Sequence, residues 1–234
     1  MRRSATNWIS ERGSAAAPAR VTQSSLNPRP SLSTIALLLA PPLFWAGNAV
    51  VGRAVVGDFP PIALSFTRWL LAFALLLPFV WRSLPAALQA LRGRWPLMIL
   101  TSALGVGCYN SLLYLALETS TAVNTTLIGA SAPVIALVTG AVFFASPVRR
   151  EQWFGAGLSL IGVLVVITRG DLANIAHWQL ERGDLIMVLA TSIWAVYTWL
   201  LRTQRPAIAA APFLALLIGL GALMILPFAV VEYL

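Results

Sequence analysis

Residues 30–52 read PSLSTIALLLAPPLFWAGNAVVG, a stretch without a single charged side chain. A helix that crosses a bilayer needs about 20 consecutive apolar residues, so this stretch is long enough to span. Working outward, charge-free windows recur at 69–81, 95–117, 119–148, 152–168, 185–201 and 206–231, so that most of the seven windows, the first included, reach the ~18 residues of a crossing. Of the whole chain 59% is hydrophobic and 10% charged, whereas a soluble domain carries about 25% charge. The runs are continuous rather than alternating, and an open chain in lipid must satisfy its backbone within each segment, so they read as helices and not barrel strands. The expected fold is all-α and polytopic, with helices over 32–52, 60–81, 96–117, 121–145, 152–168, 184–201 and 210–231.

The charge pattern gives that fold a direction. All sixteen basic residues are arginine, and eight acids leave a net charge of +8. Such a balance is often the footprint of nucleic acid, but here the arginines alternate by loop. Arg2, Arg3, Arg12, Arg20, Arg29, Arg82, Arg92, Arg94, Arg149, Arg150, Arg202 and Arg205 fall on one side of the expected helices. The other side holds Arg53, Arg169 and Arg182 beside Asp58, Glu118, Asp171, Glu181 and Asp184. By the positive-inside rule the N-terminus and the arginine-rich loops are cytoplasmic. The expectation is a multi-pass protein of the bacterial inner membrane, with the lipid bilayer rather than nucleic acid as its surroundings.

Residues 1–31, rich in Ser, Ala, Arg and Pro, have little to bury and read as a disordered cytoplasmic tail. Cys108 and His177 are each alone of their type, which leaves no intrachain disulfide and no His/Cys metal site. No metal and no cofactor is expected. His177, beside Trp178 in the 169–183 connection, reads as an interfacial side chain.

Small residues repeat at four-residue spacing, as Ala103 with Gly107, Ala132 with Ala136 and Gly140, and Gly155 with Ser159. Such pairs share a helix face and let a neighbouring backbone come close. Prolines within spans, at Pro41, Pro42, Pro78, Pro133 and Pro227, each remove a helix hydrogen bond. Laid over itself at an offset of 149 residues, the chain places Trp45 and Ala46 on Trp194 and Ala195, Arg53 on Arg202, and Leu77-Pro78-Phe79 on Leu226-Pro227-Phe228. Helices one and two thus recur as helices six and seven. Five helices separate the copies, an odd number, so the second copy must cross in the opposite sense. That is an inverted repeat, the arrangement of many secondary transporters, whose site lies between the halves. At the same offset a complete second unit would run to about residue 317, so this sequence reads as truncated after the seventh helix.

The stretch from Trp45 through Pro61 and Phe66-Thr67-Arg68-Trp69 carries the first part of a family pattern. It continues with Tyr114-Leu115-Ala116-Leu117-Glu118-Thr119-Ser120-Thr121-Ala122, Ala132-Pro133-Val134 and Gly155 to Gly162. In that order these motifs resemble the EamA family of the drug/metabolite transporter superfamily. Gly183-Asp184-Leu185 with Trp194-Ala195-Val196-Tyr197 is similar to the opening of that family's second repeat. The resemblance implies ten helices in two inverted five-helix repeats, here 32–168 and a partial 183–234, and carrier-type movement of a small metabolite or drug-like solute. Where relatives typically end the fourth helix on Gly-Glu, this chain has Ser146-Pro147, with Glu151 displaced.

Arg68 lies eight residues into the second helix, about 12 Å along its axis. A charge at that depth costs a few kcal/mol and so faces protein or water. It either attracts an anionic or carboxylate-bearing substrate or snorkels toward the interface and Asp58. Asn48, Asn110, Tyr114, Thr121 and Asn124 add hydrogen-bonding groups within or near apolar spans, as cavity lining or as ties between helices. Trp194 and Tyr197, one turn apart, share a face that would stack on a solute or pack. Glu118, at the end of the third helix, is the candidate for proton coupling or else an exposed loop charge. No phosphate-binding loop, hydrolase elbow or helix-borne His-Glu pair is present, so neither ATP-driven pumping nor a membrane enzyme is indicated. The alternative function is an interaction or assembly partner that does not transport, and a homodimer would cover helix faces left bare by an incomplete second repeat.

Overall fold

The computed structural model describes residues 31–167, 180–204 and 206–234. The N-terminal tail and the His177–Trp178 pair lie outside them. Two compact units divide at Pro41–Pro42. Of the first, the described part is residues 31–41, the opening turns of α1 (Leu32–Ala54).

The second unit, Pro42–Leu234, holds the rest of α1 and α2 (Pro61–Val80), α3 (Leu84–Ala90), α4 (Trp95–Thr119), α5 (Ala122–Ala130), α6 (Ala132–Phe143), α7 (Arg150–Ile167), α8 (Arg182–Gln204) and α9 (Ala210–Tyr233). Every element among the described residues is helical, which makes the protein an all-α polytopic membrane protein. Five helices, α1, α2, α4, α8 and α9, are long and apolar enough to cross, and α5 with α6, bent by 40°, makes a sixth candidate. The break falls at Ser131, where Pro133 near the start of α6 supplies no amide for the preceding turn. The expected 152–168 span is helical as α7, but its described part opens on Arg150, Glu151 and Gln152. Within the described residues α7 is not among the candidate spans. The short α3, between α2 and α4, has no counterpart among the seven expected helices.

The repeat is visible in the helix boundaries. Shifted by 149 residues, α1 falls on 181–203 and α2 on 210–229, against α8 at Arg182–Gln204 and α9 at Ala210–Tyr233. Its inverted sense follows from three contacts. The Arg53 guanidinium, at the end of α1, donates to the carbonyls of Leu117 and Glu118 at the end of α4. Just beyond, Ser120 Oγ donates to Asp184 Oδ1 at the start of α8, 2.5 Å away. The end of α1 and the start of its copy therefore share one level of the bundle. Likewise the Ala63 amide in the first turn of α2 donates to Glu232 Oε2 near the end of α9, 2.8 Å away, so this pair is antiparallel as well. A carboxylate at that point also complements the positive end of the α2 dipole.

Close packing of these helices runs through glycine. In α4, Ala103–Cys108 forms a π-helical segment. Within it Gly105 lies beneath the Tyr197 ring of α8, while Gly221 of α9 abuts Val106. Gly140 of α6 faces the indole of Trp199, whose Nε1 donates to the Ala136 carbonyl at 2.6 Å. The expected Ala132–Ala136–Gly140 face is thus a packing face. Gly155 is different, with nothing near its Cβ position, so the Gly155–Ser159 pair makes no such approach here. α2, α4 and α9 enclose one apolar cluster built on Ala63, Met98, Val106, Phe213, Leu217 and Ile225.

Gly183 sits against the Ala116 carbonyl and the Ser120 backbone, leaving no room for a Cβ. Gly183→Ala should push α8 off α4 and destabilise the protein by about 1–3 kcal/mol, the usual cost of overpacking. Thermal unfolding in detergent checks this, with Gly155→Ala, set in open space, as the unaffected control.

Candidate functional site

Three of the nominated residues meet at the contact of α1, α2 and α4. Tyr114 of α4 is 2% exposed, and its hydroxyl donates to Asn48 Oδ1 of α1 at 2.6 Å. Gly52, one turn beyond Asn48, lets α1 approach the Tyr114 ring: a Cβ there would stand 2.9 Å from it. The Arg68 guanidinium of α2 lies 5.5 Å from the centroid of the same ring, a cation–π contact. Among the described residues Arg68 forms no ion pair, so it is not engaged by Asp58. Asn48 therefore holds the tyrosine, and the tyrosine offers its face to the arginine.

Above this group a narrow cleft opens between the α1–α2 turn and the end of α4. It is lined by Gly52, Val55, Phe59, Leu64, Tyr114 and Glu118. Glu118 stands exposed at its rim, where only its backbone carbonyl is engaged, by Arg53. A second narrow cleft, more apolar, lies between α4, α8 and α9 at Met98, Thr101, Leu201, Gln204 and Phe213.

The remaining nominated residues lie elsewhere. Trp194 and Tyr197 do share a face, with ring centroids 5.0 Å apart. Trp194 also packs on Tyr109, at 4.7 Å, so the pair belongs to an aromatic cluster between α8 and α4 rather than to the Arg68 group. Asn110 is half-buried beside Tyr109. Thr121 caps α5, its hydroxyl accepting the Asn124 backbone amide at 3.1 Å.

Sequence reasoning passed over several polar groups. Asp184 is fully buried, accepting from Ser120 Oγ and, at 3.1 Å, from the Glu181 amide. The latter is the backward half of a capping box at the start of α8. Ser65 Oγ, Trp69 Nε1, Ser102 Oγ and Ser111 Oγ are buried without a hydrogen-bond partner. All four lie on α2 and α4. Ser65 and Ser111 are each one turn before a residue of the group, Arg68 and Tyr114 respectively. The only signal for Asp184 in the sequence is the Gly183-Asp184 pair, and nothing local marks the serines.

A bundle of helices long and apolar enough to cross a bilayer defines a multi-pass membrane protein. Residues 32–168 match the model of the EamA-like transporter family, and the chain belongs to that family. It is 26% identical over 166 residues to the uncharacterized transporter YyaM of Bacillus subtilis (strain 168), a match covering 71% of this chain and 54% of that protein. It is 27% identical over 201 residues to an uncharacterized transporter of Archaeoglobus fulgidus, covering 84% of this chain and 66% of that protein. A second Bacillus subtilis protein, the uncharacterized transporter YwfM, is 29% identical over 170 residues, 70% of this chain and 54% of its own. The matched region thus spans about half to two thirds of these relatives. No solved structure matches.

Removing the Tyr114 hydroxyl isolates the Asn48 tie. Tyr114→Phe should cost about 0.6–2 kcal/mol, the range for hydrogen bonds between membrane helices. In a double-mutant cycle with Asn48→Ala the two losses should not add; additive losses in unfolding free energy would show that the two side chains are not coupled.

Proposed function

We propose that the protein works as a secondary carrier, moving a small metabolite or drug-like solute across the bacterial inner membrane by alternating access, with its N-terminus in the cytoplasm. The observation that carries this reading is the inversion of the two helix pairs, α1–α2 against α8–α9, with Asn48, Tyr114 and Arg68 gathered beside their junction. Two copies of one unit facing opposite ways give a frame whose halves can exchange roles at the two membrane surfaces. The two narrow clefts, one beside the α1–α2 turn and one among α4, α8 and α9, suit a frame that opens at either end. The EamA-like transporter family supports transport over catalysis. Coupling to a proton or solute gradient accords with the absence of a phosphate-binding loop, and Glu118 at the cleft rim remains the candidate proton carrier.

A second reading has one observation in its favour. Trp45 is 66% exposed, whereas its repeat counterpart Trp194 packs on Tyr109 and Tyr197. Leu43, Phe44, Val50 and Val51 on α1 are also exposed. A bare apolar face of this kind suits an assembly partner or a homodimer that covers α1 and does not itself transport.

Counterflow in proteoliposomes separates the two. Wild-type protein loaded against a panel of amino acids, nucleosides, amines and carboxylates should accumulate at least one of them. Arg68→Ala should lower that flux by about tenfold or more while membrane insertion is unchanged. No accumulation of any solute by the wild type would favour the assembly reading, and normal flux in Arg68→Ala would remove the arginine from the path.

A further inference from the structure

We infer that the solute bound beside Tyr114 is an organic monocarboxylate, taken head-first by the Arg68 guanidinium. This rests on the carrier reading and names its substrate class.

Charge is the first argument. Among the described helices, Arg68 is the one formally charged side chain beyond the terminal turns. Arg53, Glu118, Arg150, Glu151, Arg182, Asp184, Arg202 and Glu232 all lie in first or last turns. Away from the helix ends the apolar spans thus carry one charge, on an exposed arginine side chain without an ion-pair partner among the described residues, whereas the buried Asp184 in the first turn of α8 is engaged by Ser120 and the Glu181 amide. At the depth of a membrane span an unpaired charge is costly. A bound anion offsets that cost, a neutral solute leaves it standing, and a cation adds to it.

Geometry is the second. The cation–π contact with Tyr114 engages the guanidinium through the ring face and uses none of its N–H groups. Among the described residues Arg68 donates no hydrogen bond to protein, so its planar fork is available for two parallel N–H···O bonds to a carboxylate. The Tyr114 hydroxyl is committed to Asn48 and does not compete for the head group. It fixes the ring, and through the ring the arginine.

The unpartnered hydroxyls are the third. Helical serines and threonines usually bond back to the preceding turn, as Thr67 does to the Ala63 carbonyl and Thr101 to Leu97. Ser65 and Ser111 do not, although both are buried. Buried polar groups without partners are rare and call for an explanation. They stand one turn before Arg68 and Tyr114 on their own helices, so two donors without partners lie close in sequence to the residues that would hold the head group. A single cation matches a monoanion better than doubly charged phosphate.

Thermal unfolding of the purified full chain, followed by tryptophan fluorescence, tests the assignment with acetate, hexanoate, benzoate, benzylamine, benzyl alcohol and inorganic phosphate at matched ionic strength. At least one carboxylate should raise the midpoint in the saturable manner of a ligand that binds only the native state; benzylamine, benzyl alcohol and phosphate should not. Arg68→Gln should weaken that carboxylate by about tenfold or more, and Arg68→Lys, which keeps the charge but not the fork, by less. Helical circular dichroism of each variant shows that it is folded, and Arg68→Lys serves if Arg68→Gln is not. The assignment is overturned if no carboxylate shifts the wild type, if the shift survives in Arg68→Gln, or if phosphate or the amine produces the larger shift. Labelled-solute flux keeps the two readings apart. Carboxylate binding without flux would sink the carrier reading and leave the assignment intact, whereas flux of amines alone would do the reverse.

Discussion

Lipid supplies no hydrophobic drive for one helix to join another, so this bundle depends on how closely its backbones can approach. Glycine makes that approach possible at several crossings. Gly105 admits the Tyr197 ring, Gly140 the Trp199 indole, Gly183 the Ala116 carbonyl and Gly221 the Val106 side chain. At such distances dispersion contacts accumulate, and polar side chains can reach across, as Trp199 reaches the Ala136 carbonyl. The π-helical segment of α4 lies where α8 and α9 both close in. Segments of this kind recur at functional sites because they realign the side chains that follow, and the next turns of α4 carry Tyr109, Asn110 and Tyr114.

Polar ties then fix the ends. Arg53 on the α4 carbonyls, Ser120 on Asp184, and the Ala63 amide on Glu232 all join elements far apart in the chain at one level of the bundle. Each satisfies a backbone group or a carboxylate that would otherwise be costly near lipid. Together they hold the two copies of the repeat in opposite senses, with α2 and α9 antiparallel. The same level holds Glu118 and the cleft above Tyr114. The opposite ends of α4, α8 and α9 frame the apolar cleft near Met98 and Phe213.

The site follows from a division of labour between two residues of one helix. Tyr109 faces α8 and joins Trp194 and Tyr197; Tyr114, five residues on, faces α1 and α2 and joins Asn48 and Arg68. Five residues turn a helix by well over a third of a revolution, so two tyrosines of similar chemistry enter different neighbourhoods. One contributes to packing between halves, the other holds a charge.

The sequence by itself determined the fold class and the order of the main helices, and it suggested the inverted repeat. These rest on charge-free length, arginine asymmetry and a fixed offset between Trp45 and Trp194, Arg53 and Arg202, and Pro78 and Pro227, all of which are local or periodic signals. It also singled out Arg68, because a charge in an apolar run is conspicuous. Only the tertiary structure decided which polar residues meet. Thr121 accepts the Asn124 amide at the start of α5, Trp194 packs on both Tyr109 and Tyr197, and Arg68 rests on Tyr114 rather than reaching Asp58. It also brought in Asp184, Ser65 and Ser111. Asp184 meets Ser120 across 64 residues of chain, and no pattern within one helix encodes which face of another it will meet. The short α3 and the break at Ser131 were missed for a related reason: hydropathy measures how apolar a segment is, whereas bends depend on single backbone hydrogen bonds and on the neighbours that replace them.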